Sequence, residues 1–130
     1  MYYNPNKQNH LDFKSKLYIS RKLGYTQDEH LNQVVEYEEP KLYRFNVMPI
    51  SADSEIREFG ELAKSMKVAV ITEKTKYINK FNEFDLAYLD GVTPDNELAY
   101  GDNANYRIYA IRNQNTIIRI YFIKRVINNQ

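Results

Sequence analysis

Residues 106–112 (YRIYAIR) and 116–125 (TIIRIYFIKR), joined by Asn113-Gln114-Asn115, decide the fold of this chain. Both segments have the length of strands and the β-branched and aromatic content that strands favour. The second segment carries large side chains on both faces: Ile118, Ile120 and Phe122 on one, and Ile117, Tyr121 and Ile123 around Arg119 on the other. A sheet that faces solvent is polar on one side, so this strand needs cover on both. We expect the second face to meet another sheet layer, the opposite wall of a barrel or a partner subunit.

Shorter segments of the same kind precede this pair. Alternating or compact apolar patterns predict strands at residues 13–22, 34–37, 42–48, 68–72 and 84–89. Pro40, Pro49 and the Asp90-Gly91 turn separate them. The chain is therefore predicted to be mainly β: a small antiparallel β-barrel or sandwich of about six strands with one short helix and long loops.

The short helix is predicted within residues 51–67. Ile56, Phe59, Leu62 and Met66 recur there at the three- and four-residue steps of a helix face. Gly60 interrupts the pattern and costs a helix roughly 1 kcal/mol relative to alanine. The helix is expected either to run two or three turns or to stop at Gly60 and continue as an ordered loop.

The chain of 130 residues has the size of one domain. Residues 1–12 are polar and lack an apolar period, so we expect an extended amino-terminal arm. Residues 13–125 form the predicted barrel domain, and residues 126–130 a carboxy-terminal tail. Extended arms can add a strand to the exposed sheet edge of a neighbour.

Composition and charge disfavour several classes of protein. The net charge is +1 and there is no cysteine, so neither a disulfide framework nor a dedicated binder of phosphate or anionic membranes is expected. Any basic patch must be local. We see no apolar run long enough for a membrane span and no secretory signal, and we predict no membrane partner.

Residue types that carry chemistry are present but not in a catalytic or ligand-binding arrangement. His10 and His30 lie in separate polar stretches, and the four glycines are too far apart for a phosphate loop. The aspartates that could pair for acid–base work are Asp85, Asp90, Asp95 and Asp102, and turn contexts explain at least two of them. We therefore predict no enzyme and no catalytic, metal-binding or cofactor-binding residues.

Tyrosine and arginine are mixed in the last two strands. Such a mixture can stack bases on an open barrel face, with Tyr106, Arg107, Tyr109, Arg119 and Tyr121 as the candidate residues. The same residues also make stable cross-strand pairs and are enriched in protein interfaces. An oligonucleotide-binding barrel is therefore the alternative, and a protein interface is the favoured interpretation.

The order of these features resembles one family. A first strand with Lys16-Leu17-Tyr18-Ile19, then residues 43–51 (YRFNVMPIS), then Glu55 and Glu58, is similar to the head–tail joining proteins of long-tailed bacteriophages. These are also called head-closure or stopper proteins. The final pair of strands also matches that family in place and character, and the resemblance spans about residues 13–125. The acidic stretch after Pro49 and the long loop at residues 93–105 depart from its pattern.

The resemblance implies a structural virion protein without a cofactor, assembled in the host cytoplasm. A homo-oligomeric ring of this small β-barrel would lie beneath the portal and its adaptor, retain the packaged DNA without sequence specificity, and dock the tail proteins. A tail-completion protein of the same connector is the close alternative. By analogy with the family, the gating segment of the channel would contain Ser51, Asp53, Glu55 and Glu58. The predicted subunit-interface residues are Tyr2, Tyr3, Tyr106, Tyr109, Arg119 and Tyr121.

Overall fold

A computed structural model describes residues 14–126 of the chain. The predicted arm at residues 1–12, with Tyr2 and Tyr3, and the last four residues of the predicted tail lie outside the described residues. The strands are β1 (Ser15–Ser20), β2 (Lys22–Gln27), β3 (Gln33–Tyr37), β4 (Lys41–Pro49), β5 (Met66–Ile71), β6 (Leu86–Tyr88), β7 (Tyr106–Asn113) and β8 (Ile118–Lys124). The helices are α1 (Asp53–Phe59), a 3₁₀ helix (Gly60–Ser65) and the one-turn α2 (Lys74–Tyr77).

Six strands close into a barrel in the order β1-β4-β5-β8-β7-β6, and every neighbouring pair is antiparallel. The mainly β, antiparallel prediction is confirmed, and of its two architectures the structure is the barrel. The inward side chains form one apolar core that includes Leu17, Phe45, Ile108, Ile120 and Phe122. A β-bulge at Tyr109 lets Ile108 and Ile111 both face this core, because the extra residue resets the alternation of β7.

The remaining two strands form a ribbon outside the barrel. The sequence predicts one strand over residues 13–22, but the chain leaves the barrel at Arg21 and continues as β2, which pairs only with β3. The buried carboxylate of Asp85 accepts a hydrogen bond from the backbone N–H of Lys22 at 2.8 Å, and the hydroxyl of Ser20 donates to the carbonyl of Glu38. These polar contacts fix the base of the ribbon, whose outer edges have no strand partner within the described residues.

The outer face of β8 is covered by the chain itself, a solution that the sequence analysis did not include. Residues 53–65, which we call the helical strap, lie across this face. The ring of Phe59 is 5.0 Å from the ring of Tyr121 and 6.1 Å from that of Tyr109. Met66, Val68 and Tyr121 are buried beneath the strap. The strap begins as α1 and changes to a 3₁₀ helix at Gly60, whose φ of 59° suits glycine.

The core strand β8 gives a first test of this packing. Phe122 has no exposed surface, so Phe122→Ala should lower the free energy of unfolding by about 3–5 kcal/mol through lost burial and the cavity left behind. Leu23 on the ribbon is 62% exposed, and Leu23→Ala should change it by less than about 0.5 kcal/mol. Urea denaturation of the two variants measures both values. Equal decreases in the free energy of unfolding for the two variants would contradict the division into barrel core and projecting ribbon.

Candidate functional site

The outer surface of β7 and β8 carries a pair of like charges. Arg112 and Arg119 lie directly opposite each other on the two strands, an arrangement that is unfavourable unless anions compensate. The strap supplies two. The Arg112 guanidinium donates two hydrogen bonds to the Glu58 carboxylate, one of them 2.9 Å long, and Arg119 lies 3.7 Å from Glu55. The strap therefore neutralises this part of the barrel surface.

This arrangement brings together residues from two separate sequence predictions. Glu55 and Glu58 of the predicted gating segment contact Arg112, Arg119 and Tyr121 of the barrel surface. Their carboxylates are therefore engaged within the chain. The other two gating residues, Ser51 and Asp53, are exposed and lie apart from these contacts. That this segment gates a channel stays a prediction.

The tyrosines predicted for an interface have different environments. Tyr106 belongs to the barrel core, and its hydroxyl group lies 3.3 Å from a carboxylate oxygen of Asp90. Tyr121 lies beneath the strap, while Tyr109 is half-buried at the bulge of β7. A neighbouring molecule cannot reach the rings of Tyr106 and Tyr121 while the barrel and strap are intact. Arg119 and Tyr109 are the described members of the set that retain exposed surface.

Tyr121 is the most strongly perturbed titrating group of this site. Burial raises the pKa of Tyr121 to about 12, and the hydrogen bond from its hydroxyl group to the Glu55 carboxylate adds to the shift. Both causes favour the neutral phenol, because ionisation would place a second negative charge beside Glu55 in a site shielded from water. The hydroxyl thus works as a neutral donor that holds the strap on the barrel.

A second surface feature was missed by the sequence analysis. Phe84 is 53% exposed with a φ of 74°, which is unusual for a bulky side chain. Its ring lies between two cations, 5.7 Å from the Lys22 amine and 5.3 Å from the Arg107 guanidinium. Lys22 also contacts the Tyr25 ring, and Arg107 the Tyr109 ring. Aromatic and cationic side chains thus alternate along one row. The members come from β2, β7 and the turn before β6, so no local pattern in the sequence indicates it.

Asp85, one of the four aspartates considered for acid–base work, is fully buried beside Phe84. Burial raises the pKa of Asp85, although hydrogen bonds from the backbone N–H groups of Lys22 and Asn82 partly oppose the shift. Each carboxylate oxygen accepts one of these bonds at 2.8 Å. The side chain therefore closes a turn and anchors the ribbon, which accounts for its burial without a catalytic role.

The described residues offer open grooves rather than an enclosed site. One of them is a groove of about 720 Å³ between β3 and the loop of residues 96–102. Within residues 14–126, no three histidine, aspartate or glutamate side chains are grouped to hold a metal ion. No helix in the same range has both the length and the apolar composition needed to cross a bilayer.

Comparison of the chain with protein-family models, with curated proteins and with solved structures found no match. The resemblance to head–tail joining proteins therefore stays a prediction from the sequence, and the surfaces of the chain itself are what the structure adds. Those surfaces are the β7–β8 face that the strap neutralises, the projecting ribbon, and the row of alternating aromatic and cationic side chains.

The strap contact can be tested through the Tyr121 hydroxyl. Tyr121→Phe should lower the free energy of unfolding at neutral pH by about 1–2 kcal/mol, because a hydrogen bond to a charged group is lost. The folded pKa of about 12 lies above the ordinary value of 10.0. The hydroxyl's contribution is therefore complete below pH 10 and is lost as the pH rises towards 12.

The wild-type stability should accordingly fall more steeply between pH 10 and pH 12 than that of Tyr121→Phe. Denaturant titrations across this range measure the slope. Tyr100→Phe is the matched control because the Tyr100 side chain is 54% exposed. Parallel pH profiles for wild type and Tyr121→Phe would show that the hydroxyl does not hold the strap.

Proposed function

We propose that this chain is a structural subunit that acts by contact with copies of itself and with neighbouring proteins, as a head-closure component of a bacteriophage head–tail connector. The proposal combines the sequence resemblance with the surface of the barrel. In that role it would occlude the channel that holds packaged DNA and would present a surface to the tail. No chemical step is required of it.

The observation that carries the proposal is the projecting ribbon. The side chains of Leu23, Tyr25, Leu31 and Val34 on β2, β3 and their connecting turn are between 43% and 74% exposed. Both ribbon edges also present backbone groups without strand partners among the described residues. Exposed apolar side chains beside open strand edges favour association, and monomeric proteins usually protect such edges. A subunit that is completed by its neighbours accounts for this feature.

The charges on the outer surface of β7 and β8 agree with a ring through which DNA passes without being held. Arg112 and Arg119, which lie side by side on this surface, are paired with Glu58 and Glu55. A surface that binds nucleic acid tightly needs several uncompensated cations. The strap removes two of them from that role.

Location in the virion tests the proposal. Purified tailed particles of the source phage should contain the chain, and gold-labelled antibody against it should mark the junction of head and tail in electron micrographs. Particles lacking the chain should lose packaged DNA, because nothing would close the channel. Labelling confined to the tail tip, or absence from purified particles, would contradict the proposal.

A second candidate function is favoured by the row around Phe84. Three aromatic rings and two cations form a surface on which bases can stack while phosphates contact Lys22 and Arg107. This platform differs from the one predicted from the sequence, since Tyr106 and Tyr121 are buried and Arg119 is paired. It supports binding of single-stranded nucleic acid rather than of a duplex.

Fluorescence anisotropy with a labelled single-stranded oligonucleotide tests the second candidate. If it is right, the oligonucleotide binds at low salt, and Phe84→Ala weakens binding about tenfold, which is typical for loss of one stacked base. Leu98→Ala removes an apolar side chain that is 44% exposed elsewhere and should leave binding unchanged. Absence of binding at about 20 mM salt would exclude this candidate, because the contribution of phosphate contacts is largest at low salt.

A further inference from the structure

The barrel has a second pair of like charges, on the outer face of β1 and β4. Lys16 and Arg44 lie directly opposite each other, and exposed Lys14, just before β1, borders the same surface as Arg44. None of the three forms an ion pair with a described carboxylate. Glu73 lies at the margin of this surface. We call Lys14, Lys16 and Arg44, with exposed Leu42 beside them, the basic face.

The two pairs of cations differ in one respect. Arg112 and Arg119 are compensated by carboxylates of the strap, whereas Lys16 and Arg44 remain uncompensated within the described chain. A like-charge pair across two strands opposes folding, so folding alone gives no reason for it. An anionic surface on another molecule would supply the compensating carboxylates for this pair, as the strap does for Arg112 and Arg119.

The chain itself carries such a surface. The groove between β3 and the loop of residues 96–102 is lined by exposed apolar side chains, and its charged residues are Glu36 and Asp102, with no cation among them. Val34, Leu98 and Tyr100 are 43%, 44% and 54% exposed. We call this surface the acidic groove. Its apolar floor suits a side chain such as Leu42, and its carboxylates suit Lys16 and Arg44.

The wall of the acidic groove is preformed. The backbone N–H of Gly101 donates to the Tyr88 hydroxyl at 2.8 Å, and Arg125 donates to the carbonyls of Gly101 and Ala104. A side chain at residue 101 would place its Cβ 2.6 Å from a Leu86 methyl group, so glycine is required for this close approach. A wall already ordered in the free chain loses little entropy when a partner binds.

The acidic groove and the basic face cannot meet within one molecule. The loop of residues 93–105 separates them: one side of it borders Tyr18 of β1, and the other side borders β3. Two different and complementary surfaces on one chain make a head-to-tail contact, which gives a ring when the rotation between successive copies closes.

We infer that the acidic groove of one copy binds the basic face of the next, with Glu36 and Asp102 opposite Lys16 and Arg44. This inference rests on the proposed function, because it names the contact through which the copies assemble. The occupant is a second copy of this chain, and the contact is polar enough to weaken with salt.

Reversing the charges on each of the two surfaces tests the contact. Sedimentation velocity of the full chain should show association that increases with protein concentration at about 50 mM salt and decreases at about 500 mM. The variants K16E/R44E and E36K/D102K should each weaken self-association about tenfold or more, since each places like charges across the contact. Mixed in equal amounts, the two variants should associate again, because the reversed face of one now complements the reversed groove of the other.

Control variants change the same number of charges elsewhere. K76E/K124E and E61K/E83K alter exposed residues outside both the basic face and the acidic groove, and both should associate as wild type does. Circular dichroism of every variant checks that the barrel is folded. Loss of association that the mixture does not restore would overturn the inference.

The remaining outcomes separate this inference from the proposed function. If both charge-reversal variants associate as strongly as wild type, the contact is wrong, but the proposal that the copies assemble is still supported. A wild-type chain that remains monomeric at about 1 mM would also overturn the contact, whereas labelling at the head–tail junction would still support the proposed function. Loss of duplex DNA binding in K16E/R44E, with association unchanged, would assign the basic face to nucleic acid instead.

Discussion

The cross-strand pair of Arg112 and Arg119 is the constraint on which the packing of this chain depends. Two cations side by side on β7 and β8 require anions, and the outer face of β8 requires an apolar cover. The strap meets both needs at once, since Glu55 and Glu58 reach the arginines while Phe59 packs on Tyr121. One segment thus both neutralises the arginine pair and covers the apolar face of β8. The carboxylates of Glu55 and Glu58 are engaged in these contacts.

Local patterns predicted most barrel strands, because alternation marks β1 and β4, and compact β-branched and aromatic runs mark β5 and β8. The departure of the ribbon from the barrel was not predicted, because Leu23 and Tyr25 resume the odd-position apolar pattern of Leu17 and Ile19, and Arg21 alone interrupts it. The contact that decides it, between Lys22 and Asp85, spans 63 residues. The end of α1 at Gly60 was one of the two alternatives predicted from the sequence, because glycine interrupts the helical period there.

The candidate surfaces were predicted less well than the fold. Arginine and tyrosine in β7 and β8 were visible in the sequence, but their partners in the strap lie 54 to 66 residues away. Charge complementarity at that separation depends on the tertiary fold. Lys16 and Arg44 lie 28 residues apart in the sequence, and only the register of β1 with β4 places them opposite each other. A net charge of +1 therefore conceals separate basic and acidic surfaces.

Closure of the barrel has a consequence for its dynamics. At the seam between β1 and β6, only Tyr18, Ile19 and Ser20 pair with Leu86–Tyr88, whereas β5 and β8 pair along six residues each. The seam is therefore held by fewer backbone pairs than the β5–β8 ladder and opens more readily. The amide protons of β6 should consequently exchange with solvent before those of β5, although both strands are buried. In β6, burial of the side chains is thus expected without strong protection of the amide protons from exchange.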